Sequence, residues 1–226
     1  MMIKSMLASV ATGAMIAVLS TGTAAAQATG CEETTFTSSN YEYYGKAETE
    51  LLVNKNPQAA LAALQQLNTQ PLNCYERGAA LRLGAAVKIE TGDYNGAVRD
   101  LEQALDQGYI PASEAKQTYY TISQIYLSQE NLPKAEEYYK KWFASGGQPD
   151  RNQKWTLAVM YQKMERNEEA LRYAEQVFAT DGPNAKREVY DFLLYLYEQT
   201  GDLEKKAKLL EQLLIKNPNE LRLWEA

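Results

Sequence analysis

Apolar positions along the chain follow one recurring arrangement. In ETGDYNGAVRDLEQAL, residues 90–105, a helix is predicted to end at Gly92 and the chain to turn through Asp93. A second helix then carries Ala97, Leu101 and Ala104. Offsets of four and three hold these residues on one helical face. Small Ala97 at the front lets the two helices of a hairpin approach closely. The same unit recurs with Ala60, Ala97, Ala135, Ala170 and, less well, Lys206 as anchors, between 35 and 38 residues apart. Four and seven residues after the anchors stand Leu64 and Leu67, Leu101 and Ala104, Tyr139 and Trp142, Ala174 and Val177, Leu210 and Leu213. All are apolar or aromatic. Paired helices at this period predict an all-α solenoid, because each hairpin can bury its apolar face only against a neighbour.

Proline placement agrees. Pro71, Pro111, Pro149, Pro183 and Pro218 fall 11 to 14 residues after successive anchors, where the second helix must have ended. Pro57 and Pro133 fall just before an anchor, in a first helical turn, where the missing N–H costs nothing. The first helices are predicted over Tyr41–Asn54, Tyr75–Glu90, Lys116–Gln129, Arg151–Glu165 and Arg187–Thr200. Asn56, Gly92, Asn131, Asn167 and Gly201 sit in the turns.

The chain start changes the picture. Lys4 precedes a mostly apolar run over Met6–Leu19 of about 14 residues, too short for a comfortable membrane span. Small residues ending in Ala24, Ala25 and Ala26 form an A-x-A-like cleavage site, so residues 1–26 read as a signal peptide. Residues 27–40 are polar and without period and read as a flexible linker. Export, in a small-residue bacterial style, points to the periplasm. Two cysteines in an exported chain, Cys31 and Cys74, suggest a disulfide. On the chain-entropy picture it stabilises by about 4 kcal/mol. The competing reading is lipidation of Cys31, since Ala28–Cys31 faintly resembles a lipobox.

Composition removes most chemistry. There are no histidines, which excludes His-based triads and most zinc sites. No phosphate loop, nucleophile elbow or calcium loop occurs. Acidic pairs such as Glu168 and Glu169, or Glu136 and Glu137 ahead of Lys140 and Lys141, read as solvated helix faces. The chain reads as a non-enzyme without cofactor or metal. The net charge of −6, with no basic face, argues against nucleic acid and anionic membrane surfaces.

The repeats resemble the tetratricopeptide repeat (TPR) family. Repeat two carries Leu81, Ala85, Gly92, Tyr94, Ala97, Leu101 and Ala104 at that family's signature positions. Repeat three offers Tyr119, Ser123, Tyr126, Leu132, Ala135 and Tyr139; repeat four, Ala158, Tyr161, Ala170 and Ala174. Repeat five departs, with Leu194 and Lys206 at small-residue positions, implying looser packing. The resemblance covers five repeats over 41–220, with residues 221–226 as the start of a sixth. Beyond the last repeat nothing is expected to cover Leu209, Leu210, Leu213 and Leu214, which suggests a truncated reading frame or a docking end.

The resemblance implies a right-handed superhelical solenoid of antiparallel helix pairs and a binding groove lined by first helices. Carried over residue by residue, the partner-binding positions are Arg82, Tyr120, Gln124, Trp155, Gln162, Asp191, Tyr195 and Glu198. The family's carboxylate clamp is absent. Tyr120, Trp155 and Tyr195 are expected to face the groove as anchors for an extended peptide, while Tyr119, Tyr126, Tyr161, Tyr190 and Tyr197 are expected to pack. The implied function is a periplasmic scaffold for a protein or peptide. The leader, the early cysteine, the run Tyr138–Phe143 and the L-x-L-W ending at Trp224 are similar to periplasmic TPR proteins associated with TonB–ExbB–ExbD systems. Envelope assembly, division, or glycan and peptidoglycan binding are the alternatives.

Overall fold

The computed structural model describes residue 31 and residues 35–216. The expected leader, Pro218 and the start of a sixth repeat lie outside these residues. Ten α-helices follow one another as five hairpins: α1 Ser38–Leu52 with α2 Pro57–Asn68, α3 Cys74–Glu90 with α4 Tyr94–Asp106, α5 Ala112–Ser128 with α6 Leu132–Ala144, α7 Arg151–Lys163 with α8 Asn167–Asp181, and α9 Arg187–Thr200 with α10 Leu203–Lys216. The architecture is an all-α solenoid of antiparallel helix pairs.

Each hairpin closes on its anchor. Ala60, Ala97, Ala135 and Ala170 are all 0% exposed. The residues four and seven positions on are buried in the first four hairpins. In the third, Tyr139 and Trp142 occupy that face. Trp142 fits because Gly147 stands beside it, where a Cβ would fall on the indole ring. The last hairpin has Lys206 at its anchor, partly buried and paired with Glu198 at 3.3 Å. Leu209 and Leu213, expected to lie uncovered, are instead buried, because α10 presents this face to α9.

The turns show one rule that composition hid. Lys55, Gly92, Glu130, Glu165 and Gly201, each five residues before an anchor, all have positive φ. Asn56 and Asn131 sit in the turns, as expected, and there they cap the second helices. Their side chains accept from the backbone N–H groups of Ala59 and Lys134, as Asp93 does from Gly96. Asn167 is already inside α8. Glycine fills the left-handed position in only two hairpins; the other three bear the cost of a Cβ there.

Successive hairpins are tied through glutamates on second helices. Glu102 of α4 accepts from the Tyr138 hydroxyl of α6. Glu136 of α6 accepts from Arg166 at the start of α8 at 2.7 Å. Glu175 of α8 accepts from the Tyr197 hydroxyl of α9 at 3.1 Å and from Lys205 of α10 at 2.9 Å. Burial alone would raise the pKa of Glu136, but hydrogen bonds from Arg166 and Lys140 outweigh it and hold the carboxyl below its usual range.

The flexible linker expected over 27–40 ends earlier. Residues 35–40 are built into the fold, α1 starts at Ser38, and a disulfide joins Cys31 to Cys74 at a Cα–Cα distance of 5.5 Å. Glu76, 0% exposed, organises this corner. One carboxylate oxygen accepts from the Thr37 backbone N–H at 2.7 Å and its hydroxyl at 2.9 Å; the other accepts from Asn40 at 2.8 Å and the Asn73 N–H at 2.9 Å. Burial pushes the Glu76 pKa up, yet these hydrogen bonds outweigh it and the carboxyl ends below its ordinary value of 4.5.

Two measurements check these points. Lys55→Gly is expected to leave stability unchanged or raise it by up to about 1 kcal/mol, whereas Gly92→Val lowers it by about 2 kcal/mol, both read from urea denaturation. Because the folded pKa of Glu76 is lowered, its stabilisation is complete above the ordinary carboxyl value and is lost as pH falls through the folded value. Glu76→Gln therefore lowers stability near neutral pH and flattens the decline on the acid side, as followed by thermal unfolding across pH.

Candidate functional site

The first helices α3, α5, α7 and α9 form one face of the stack, and two crevices open between their neighbours. The first lies between α3 and α5, with a volume of about 450 Å³. Ala86, Ile89 and Leu101 give it an apolar floor, and Arg82, Glu114 and Gln117 a polar rim. The second lies between α5 and α7, about 250 Å³, lined by Leu127, Leu132, Trp155, Val159, Met160 and Lys163. Both arise for the same reason. Consecutive first helices meet each other less closely than each meets its hairpin partner, which leaves a slot between them.

The eight residues expected on this face have different fates. Arg82 is half-buried and spans the first crevice to Glu114 on the next repeat. Tyr120, expected to face the groove, is half-buried, with one side against α6. Its ring centroid lies 5.2 Å from Trp142 and 6.1 Å from Tyr139. Large side chains on α6 reach it, and removing its face from water favours that contact over exposure. Gln124 is likewise engaged, donating at 2.7 Å to the Tyr139 hydroxyl. Burial pushes that phenol up to about 12, and the Gln124 bond pulls in the other direction. Trp155 is half-buried: one edge meets Phe192 at 5.1 Å, while the residue also lines the second crevice. Gln162 is half-buried one turn beyond Val159. On α9, Tyr195 is 42% exposed. Its neighbours Asp191 and Glu198 pair with Arg187 at 2.6 Å and Lys206 at 3.3 Å.

The three aromatics of the expected stripe have different surroundings. Trp155 borders a crevice, Tyr195 stands at the surface, and Tyr120 is half-buried against α6. The packing residues behave as expected: Tyr161, Tyr190 and Tyr197 are buried, and Tyr119 and Tyr126 pack against the core. Residue-by-residue reasoning missed Leu127, Leu132, Met160 and Glu114 as lining residues. Their signal was available in part, since Leu127 and Val159 are apolar at positions that the repeat pattern leaves free.

Among the described residues, no group of three or more His, Cys, Asp or Glu side chains is placed to hold a metal ion. No helix among them is long and apolar enough to cross a membrane. The arrangement offers slots of graded polarity for side chains of another chain.

Residues 116–141 and 156–180 each match the tetratricopeptide repeat family. No curated protein matches the chain. Among solved structures, MamA from Desulfovibrio magneticus RS-1 superposes with a TM-score of 0.58 at 14% identity, covering 82% of this chain and 99% of that one. A tetratricopeptide repeat protein from Parabacteroides merdae gives 0.58 at 13% identity, covering 83% of this chain and 70% of that one. At these identities the likeness concerns the fold. Two stretches of the chain therefore match tetratricopeptide repeats, and the solved structures share its helical solenoid fold, an architecture that in tetratricopeptide repeat proteins serves protein–protein interaction.

Tyr120→Ala is expected to cost about 3 kcal/mol of stability and Tyr195→Ala less than about 0.5 kcal/mol, by urea denaturation. Equal costs would mean that the two tyrosines share one environment.

Proposed function

We propose that this tetratricopeptide repeat protein is a periplasmic scaffold that holds a segment of a protein partner against its first-helix face. The crevice between α5 and α7 carries this reading. It joins a large aromatic, Trp155, to aliphatic Leu127, Leu132 and Val159 beside a charged rim at Lys163. Anchor pockets for peptides have this composition: a buried apolar contact supplies affinity and the rim supplies orientation. The neighbouring α3–α5 crevice extends the same surface by one repeat.

Export is supported by the leader and by the Cys31–Cys74 disulfide, which suits an oxidising compartment. Pairing of Cys31 also favours a soluble periplasmic protein over a lipidated one. Within that compartment the preferred pathway is TonB-dependent uptake, on the strength of the sequence resemblance; envelope assembly or division is the second reading.

A photo-crosslinker at Val159, in the crevice, is expected to give a discrete protein adduct in cells. One at exposed Gln176 on α8 is expected to give none, and Trp155→Ala to reduce the Val159 adduct at least about tenfold. Equal labelling at both positions, or no adduct at Val159, overturns the site. Recovery of TonB, ExbB, ExbD or an outer-membrane receptor in the adduct supports uptake; an assembly or division protein supports the alternative.

A further inference from the structure

Before α1 and beside the start of α3, aromatic rings gather. Phe36 is at their centre. Its centroid lies 4.6 Å from Tyr44, 5.4 Å from Tyr75 in an edge-on contact, and 5.9 Å from Tyr41. Tyr41 is 58% exposed. An open depression of about 440 Å³ is lined by Thr35, Phe36, Ser38, Tyr41 and Tyr75.

We propose that this depression binds a neutral glycan chain, one of hexose or N-acetylhexosamine units. Three observations converge on it. Among the described residues the lining contains no charged side chain, so none of them calls for an acidic or a basic ligand. It combines ring faces with hydroxyl groups from Thr35, Ser38, Tyr41 and Tyr75, each able both to donate and to accept. A pyranose ring is the matching object: its C–H face is apolar and stacks on an aromatic ring, while its rim presents hydroxyls of both senses. A proline-rich segment would also lie on aromatic rings. It offers carbonyl acceptors but few donors, and so leaves the acceptor capacity of this rim unused.

The third observation is rigidity. The segment carrying Thr35 and Phe36 is held on the N-terminus of α3. Asn73 donates to the Thr35 carbonyl at 3.2 Å, and Thr37 donates twice to buried Glu76. The disulfide joins Cys31 to Cys74, the residue before Tyr75. An exposed aromatic platform fixed in this way loses little conformational freedom on binding. Beneath it lies the buried cluster of α1, α2 and α3, with Leu51, Leu64, Leu67, Leu83 and Val87, against which Tyr44 packs.

The full exported chain, purified with its disulfide intact, is titrated by calorimetry with the N-acetylglucosamine tetramer and, separately, with a decaproline peptide. Saturable binding of the tetrasaccharide is expected. Tyr41→Ala weakens it at least about tenfold, because an exposed ring supplies the stacking face. An unchanged melting temperature shows that this variant folds. Trp155→Ala leaves the affinity unchanged, which separates this site from the crevice proposed for protein partners. Absence of saturable sugar binding, indifference to Tyr41→Ala, or binding of decaproline alone overturns the proposal. None of those results touches the crosslinking at Val159.

Discussion

Close approach of two helices at one small side chain is the contact on which the rest of the molecule depends. Ala60, Ala97, Ala135 and Ala170 have no accessible surface, and each lies where a second helix crosses its partner. With a methyl group at the crossing, residues four and seven positions on can interlock with the first helix. A hairpin made this way still has an apolar outer side. It is stable only when another hairpin covers that side, so the contact that forms one repeat also compels the stack. Lys206 illustrates the dependence. A long side chain at the crossing must leave sideways, and the last pair is held instead by leucines on α10 and by the ion pair to Glu198.

Stacking leaves a choice of rotation between neighbours, and polar groups help to settle it. Glu102, Glu136 and Glu175 each receive donors from the following repeat. Such partly exposed bonds contribute only modestly, about 1 kcal/mol or less each. Their value lies in direction: a carboxylate with two donors from different helices permits few arrangements. Glu76 does the same at the N-terminal corner with four hydrogen bonds, and so places the aromatic rings around Phe36.

The surfaces available for binding are consequences of this geometry. Crevices open where first helices diverge, and their chemistry follows from residues the stack does not need. Between α3 and α5 these give an ion pair over an apolar floor. Between α5 and α7 they give an aromatic and aliphatic slot. Two distinct surfaces on one rigid stack suit a protein whose work is to hold other molecules in a fixed relation.

Sequence by itself determined the helices, their pairing and their faces. All five predicted first helices begin within four residues of the observed ones, at Ser38, Cys74, Ala112, Arg151 and Arg187. Periodicity and proline carry that information because they act within one helix or one turn. The left-handed turn position escaped notice because Lys55, Glu130 and Glu165 carry no compositional mark of it. Tertiary structure alone decided which residues of the free face remain free. Tyr120 and Trp155 stand at equivalent positions and both are half-buried, yet one meets Trp142 of its own hairpin, while the other meets Phe192 of the next and borders an open slot. Burial of a side chain depends on the size of whatever another helix brings against it, and no spacing along a single chain encodes that.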